Sequence, residues 1–425
     1  MALRSFSAPL KKILLSTLLG TSSIAGAHAA DFIYVGANNP APNQNAVLGY
    51  RIGENGALTS LQGSPFKTNG TGYFDSSYKL GPFDNDQELT VSPDQNTLFA
   101  VNSGSNTIAG LAVAPDGTLH MEPFWPVSSR GDTPVSIGAS PQGLTVVNNA
   151  SNPALASKLG NPNITSIGLA FKHIPYELPG TSLALPEGAY PSQALTIQND
   201  PYIYGTTFPT PGTLNVFRYN SKRQIESVQT VTPPVVGGTQ AAPLGLWSSP
   251  ATPYLYVGLT NVNKLGIYRK VHGRLHYVGT ADNSGQALCW VRGTRDGHFL
   301  LTANTADNSI SVYDLTDPAA PREIQHIQSG GEGGLEQFAL DQTERHIYAL
   351  QAQNSAASAG QSNQIVVFSF NPHTGALKSE PEKTLKLPLD GTIRPSGLVT
   401  IHRDSQDFSP PYLDQQTKKP NFLGL

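Results

Sequence analysis

The fold class this sequence predicts is all-β: a seven-bladed β-propeller of four-stranded antiparallel blades. Three observations predict it. A unit of short apolar runs separated by turns recurs along the chain. The composition, with 41 Gly and 34 Pro against 13% charged residues, favours turns and strands over helices. The first copy of the unit lacks its leading strand, and a matching strand stands near the far end. A ring closed by the C-terminal strand pairing into the first blade accounts for that division, whereas an open solenoid does not.

The unit is clearest at residues 286–315, QALCWVRGTRDGHFLLTANTADNSISVYDL. Cys289-Trp290-Val291, residues 299–303 and residues 310–313 are short runs rich in branched and aromatic side chains. Arg295-Asp296-Gly297 and residues 304–308 are turns between them. Runs of this length joined by such turns read as hairpins of strands. Further copies lie at residues 89–113, 135–171, 193–219, 244–269 and 335–370. Phe32-Ile33-Tyr34-Val35 enters the first copy at its second strand, and Gly397-Leu398-Val399-Thr400-Ile401 supplies the missing one. Asp116-Gly117-Thr118-Leu119 and Thr374-Gly375-Ala376-Leu377 read as turns into fourth strands. A period of roughly 45–60 residues matches propeller blades.

Outside the ring, residues 1–29 read as a signal peptide. Arg4, Lys11 and Lys12 precede an apolar stretch too short to span a bilayer, and Ala27-His28-Ala29 is a small-x-small cleavage site. The mature chain is therefore expected to be periplasmic or secreted, with no membrane association once the signal is removed. The propeller spans residues 31–403, and the polar stretch 404–425 is expected to be a loose tail. A loop insertion occupies 150–163.

Several function classes fall away. A net charge of -3 offers no attraction to nucleic acid. With a single cysteine there is no internal disulfide and no cysteine zinc site. No G-x-S-x-G elbow, phosphate loop or dinucleotide fingerprint is present, so no cofactor is expected. No metal site is expected either. The acidic run Asp84-Asn85-Asp86-Gln87-Glu88 lacks the glycine and length of a calcium loop, and reads as a solvated loop before a strand.

Candidate site residues come from registering the blades on one another. Leu98, Ile203, Leu255, Leu300 and Ile347 are equivalent, which places Glu88, Gln193, Trp290 and Gln337 at the heads of the inner strands. Glu336 stands one residue earlier, and Arg394 just before the last strand. A register slip of one residue would exchange which side chains face the channel. Glu88 and Glu336 are the candidate catalytic acids, since two carboxyls in unlike environments can divide acid and base work. Arg394 is the candidate anchor for a ligand carboxylate, with Gln193, Gln337 and Trp290 as further substrate contacts. The competing structural reading has the polar groups bonding inner-strand backbone or one another, and Trp290 packing between blades.

The segments CWVRGTRDGHFLLTANTADNSISVYDL, LTVSPDQNTLFAVNSGSNTIAGLAVAPDGTL and FIYVG resemble the lactonase family of seven-bladed propellers. That family includes 6-phosphogluconolactonase-type enzymes and carboxy-cis,cis-muconate cyclases. The resemblance implies a polar cluster of histidine, glutamate and arginines at one channel mouth. Some members carry a Gly-Pro-Arg-His type motif there. The matching places here read Gly188-Ala189-Tyr190-Pro191-Ser192-Gln193 and Ile393-Arg394-Pro395-Ser396-Gly397, without the histidine. Two functions follow as expectations. One is a cofactor-free lactone hydrolase or cyclase acting on a small organic-acid or sugar lactone. The other is a non-catalytic propeller that binds a small molecule or a protein partner.

Overall fold

The computed structural model describes residues 30–74, 85–141, 143–151, 161–170, 174–208, 212–331, 333–352, 363–389 and 393–403. The stretches read above as a signal, 1–29, and as a tail, 404–425, and most of the 150–163 insertion lie outside the described residues.

Seven antiparallel sheets form the seven blades of a propeller. From the axis outward, blade 6 runs Leu288–Gly293, Phe299–Asn304, Ser309–Asp314 and Arg322–Gln328, in chain order. The inner strands of blades 2, 3, 4, 5 and 7 are Leu89–Val91, Pro134–Ser140, Pro191–Thr196, Pro243–Ser248 and Gly334–Leu340. Blade 1 takes its inner strand, Leu398–Arg403, from the C-terminal end. That strand pairs with Ala30–Gly36 from Ala30↔Arg403 to Val35↔Leu398. Arg403 Nη2 also donates to the Val113 carbonyl of blade 2 at 2.7 Å, so the latch is tied to two blades. In blades 1, 2 and 7 the fourth strand is broken into two short pieces, both paired with the third strand. Between blades 4 and 5 a small hairpin, Val235–Val236 with Thr239–Gln240, adds a two-stranded sheet that the repeat does not announce.

The core is not one mass but seven apolar layers, one in each gap between neighbouring blades. Alternation in the second strand of blade 6 shows why. Leu300 packs toward blade 5 with Tyr256 and Ile267, while Leu301 packs toward blade 7 with Phe338 and Val366. A strand buried on both faces is near-continuously apolar, as 299–303 is apart from Thr302. Polar staples recur beside these layers. Tyr34 Oη donates to the Gly117 carbonyl (2.6 Å), Tyr256 to Pro318 (2.9 Å) and Tyr348 to Gly56 (3.1 Å), each reaching a turn of the next blade. Asn106, Asn263 and Asn308 sit at φ of 56°, 50° and 54°, and their Oδ1 atoms accept the N–H of Thr133, Ala287 and Leu335 across the gap. Asparagine tolerates that left-handed turn better than most side chains.

Candidate active site

The axis does not repeat as the layers do. The inner strands of blades 3 to 7 each carry a register irregularity, between Pro134/Ser136, Pro191/Gln193, Pro243/Leu246, Leu288/Trp290 and Leu335/Phe338. A bulge adds residues on one strand and re-aims the side chains beside it. In blade 7 the irregularity spans Glu336 and Gln337, so consecutive residues escape the usual alternation.

Into this level runs the segment 85–88, and it crosses the axis. The Asp86 N–H donates to the Ser192 carbonyl of blade 4 (3.0 Å), and the Ile137 N–H of blade 3 donates to the Gln87 carbonyl (3.0 Å). Gln337 Nε2 of blade 7 donates to the Asn85 carbonyl at 3.0 Å. Arg292 of blade 6 grips the Asp86 carboxylate with both ends, Nη2 to Oδ1 at 2.9 Å and Nη1 to Oδ2 at 3.1 Å. Gln87, at φ 68°, makes the bend. The expectation of a solvated loop here is corrected. Asn85, Asp86 and Glu88 are 4%, 0% and 1% exposed, because the loop turns inward and its polar atoms find partners on four other blades.

The predicted residues fall into distinct groups. Gln193 and Gln337 point sideways as staples. The Leu246 N–H donates to Gln193 Oε1 (2.7 Å), the Gly397 N–H to Gln337 Oε1 (2.6 Å), and Gln193 Nε2 to Gln87 Oε1 (2.7 Å). Glu88 meets Gln337, whose Nε2 donates to Glu88 Oε2; Glu88 Oε1 makes no hydrogen bond among the described residues. Burial pushes the Glu88 carboxyl well above the usual glutamate range. The neighbouring Asp86 charge adds to this, against the opposing effects of its own amide, Gln337 and Arg394. Glu336 and Arg394 form an ion pair with side chains only 5% and 7% exposed. Trp290 is packed with Cys289, Leu244 and Leu335, and its Nε1–H has no hydrogen-bond partner among the described residues. Asp86 and Arg292 were not singled out from the sequence. The signal available was a charge, Arg292, inside the apolar run CWVRG, two residues from Trp290.

The family model described as a lactonase, 7-bladed beta-propeller, matches residues 210–389. Over that segment the chain is similar to the lactonase family of propellers. Solved structures agree in fold. A candidate 6-phosphogluconolactonase from Bacteroides uniformis aligns at 14% identity and TM-score 0.66, over 88% of this chain and 99% of the other. Another, from Bacteroides fragilis, gives 13% and 0.63 over 87% and 98%. A periplasmic gluconolactonase from Pseudomonas aeruginosa gives 18% and 0.60 over 88% and 99%. No curated protein matches the sequence. The axial cluster therefore sits on a shared seven-bladed scaffold, and its chemistry must be argued from its own side chains.

Proposed function

We propose that this propeller is a lactonase-type enzyme, an exported hydrolase of small, unphosphorylated lactones, acting near the axis where Glu88 lies beside the Glu336–Arg394 pair. The observation that carries this reading is the Glu88 carboxyl. It is 1% exposed, one oxygen is held by Gln337, the other has no hydrogen bond among the described residues, and its proton affinity is raised. A carboxyl that keeps its proton above the ordinary glutamate range is suited to general acid work. In ring opening, water adds to the lactone carbonyl carbon and the ring C–O bond breaks. The departing alkoxide takes the Glu88 proton, and the proton lost by water restores it. The product is a hydroxy acid. Trp290 Nε1–H, without a hydrogen-bond partner among the described residues, is the donor this reading would assign to the developing oxyanion. Arg394, paired with Glu336, supplies positive charge beside it. Export is supported by the pattern at 1–29 and fits unphosphorylated substrates.

A non-catalytic reading is favoured by one observation. Gln193 and Gln337, two of the expected substrate contacts, are spent on neighbouring inner strands. Hydrolysis of a panel of sugar and organic-acid lactones by the mature chain, beside Glu88→Gln, separates the two. The enzyme reading expects turnover that falls roughly 10²–10⁴-fold in the variant without loss of thermal stability. Equal turnover in both would remove Glu88 from the mechanism, and no turnover in either would favour the binding propeller.

A further inference from the structure

We infer that the cavity on the other side of the 85–88 segment is a second binding site, taking a small carboxylate with an apolar body and holding it through Arg292. This inference is independent of the lactonase reading. The cavity measures about 400 Å³ and is lined chiefly from the inner strands of blades 1, 2, 6 and 7, with Leu195 of blade 4 and Trp247 of blade 5. Asp86, Gln87 and Arg292 lie at its inner end, and Leu89, Val91, Phe338 and Leu340 are among its apolar walls. Glu88, Glu336, Arg394 and Trp290 do not line it.

Arg292 is the reason to assign it a ligand. Its side chain is 25% exposed, whereas that of the Asp86 it holds is 1% exposed. Asp86 takes the end-on fork, one hydrogen from each terminal nitrogen, and the second Nη1 hydrogen goes to the Val291 carbonyl at 2.9 Å. The Nε–H and the remaining Nη2 hydrogen have no partner among the described residues. Those two donors form the side-on fork of the guanidinium, parallel and spaced to match both oxygens of a carboxylate. The bond to Asp86 fixes the guanidinium plane, so a ligand need not order it. The other ionic groups of the cavity are already matched. Glu344 Oε1 accepts from the Arg295 N–H (2.8 Å), Asp341 holds His346 (2.8 Å) and His402 faces Asp31 (2.5 Å). An unspent planar donor pair at the head of an apolar-walled pocket is what an acid with a hydrocarbon or ring body requires.

Sodium benzoate is a suitable probe, with benzamide as its uncharged counterpart, titrated calorimetrically into the full mature chain. Benzoate is expected to bind, with benzamide at least about tenfold weaker. Arg292→Lys keeps a cation for Asp86 but loses the fork, and is expected to weaken benzoate roughly tenfold or more. Val91→Trp fills the cavity without touching the Arg292–Asp86 pair, and is expected to abolish binding. A thermal unfolding scan confirms that each variant is folded. No benzoate binding by the parent chain, equal affinity for the two probes, or unchanged affinity in a folded variant would overturn the assignment.

Discussion

The gaps between blades and the axis follow opposite rules. In the gaps the same solution is used again and again: an apolar layer, a tyrosine reaching a neighbouring turn, an asparagine at positive φ bonding the next inner strand. At the axis almost nothing repeats. One loop, 85–88, meets side chains that only single blades supply, such as Arg292, Gln193 and Gln337. Repetition marks what a propeller needs in order to stand, and the break in repetition marks where polar side chains of different blades converge on one loop. Staples in the gaps act locally and separately. The groups at the axis lean on one another, so their effects should not add.

The largest expected effect tests that difference directly. Arg292→Ala leaves the Asp86 carboxylate buried without its counter-charge, which should cost about 3–5 kcal/mol in a denaturant titration. Adding Asp86→Asn to it should recover much of that loss, giving strong non-additivity. If the two changes simply add, the axis is no more coupled than the gaps. Next in size, Tyr34→Phe and Tyr348→Phe each remove one neutral hydrogen bond to a turn carbonyl, at about 0.5–1.5 kcal/mol. The double variant should equal the sum, since the two bonds reach different turns; a clear departure would show that the staples communicate around the ring.

The smallest effect is one of pH. Folded Glu88 keeps its proton to higher pH than unfolded Glu88, because burial disfavours the charge. Its stabilising contribution is therefore complete below the ordinary glutamate range and is lost as pH rises through the folded value. Glu88→Gln should match the parent chain most closely near about pH 4 and gain relative stability toward neutral pH. Melting temperatures of both proteins across that range give the comparison; a gap that narrows with rising pH would mean Glu88 is ionised in the fold.

Strand order, the latch and the apolar layers were legible because they rest on local, repeated signals. The run 299–303 shows a strand buried on both faces, and Gly397-Leu398-Val399-Thr400-Ile401 shows the strand missing from the first blade. Site residues were partly legible. Register brought Glu88 and Gln337 to the same level, and they touch. It could not show that Gln337 turns sideways to the Gly397 amide, because the irregularity between Leu335 and Phe338 breaks the alternation on which register depends. Nor could it show that an acidic loop folds inward. In sequence 85–88 is a polar stretch like many solvated ones, and Arg292 lies 206 positions from Asp86.

By itself, then, the sequence determined the blade, its repetition and the closure of the ring, since each follows from the short-range alternation and turn chemistry of one segment. Only the tertiary structure decided which polar groups meet at the axis and which edge of Arg292 stays open. Those outcomes depend on side chains from several blades competing for the same few donors and acceptors in a space that no one segment defines.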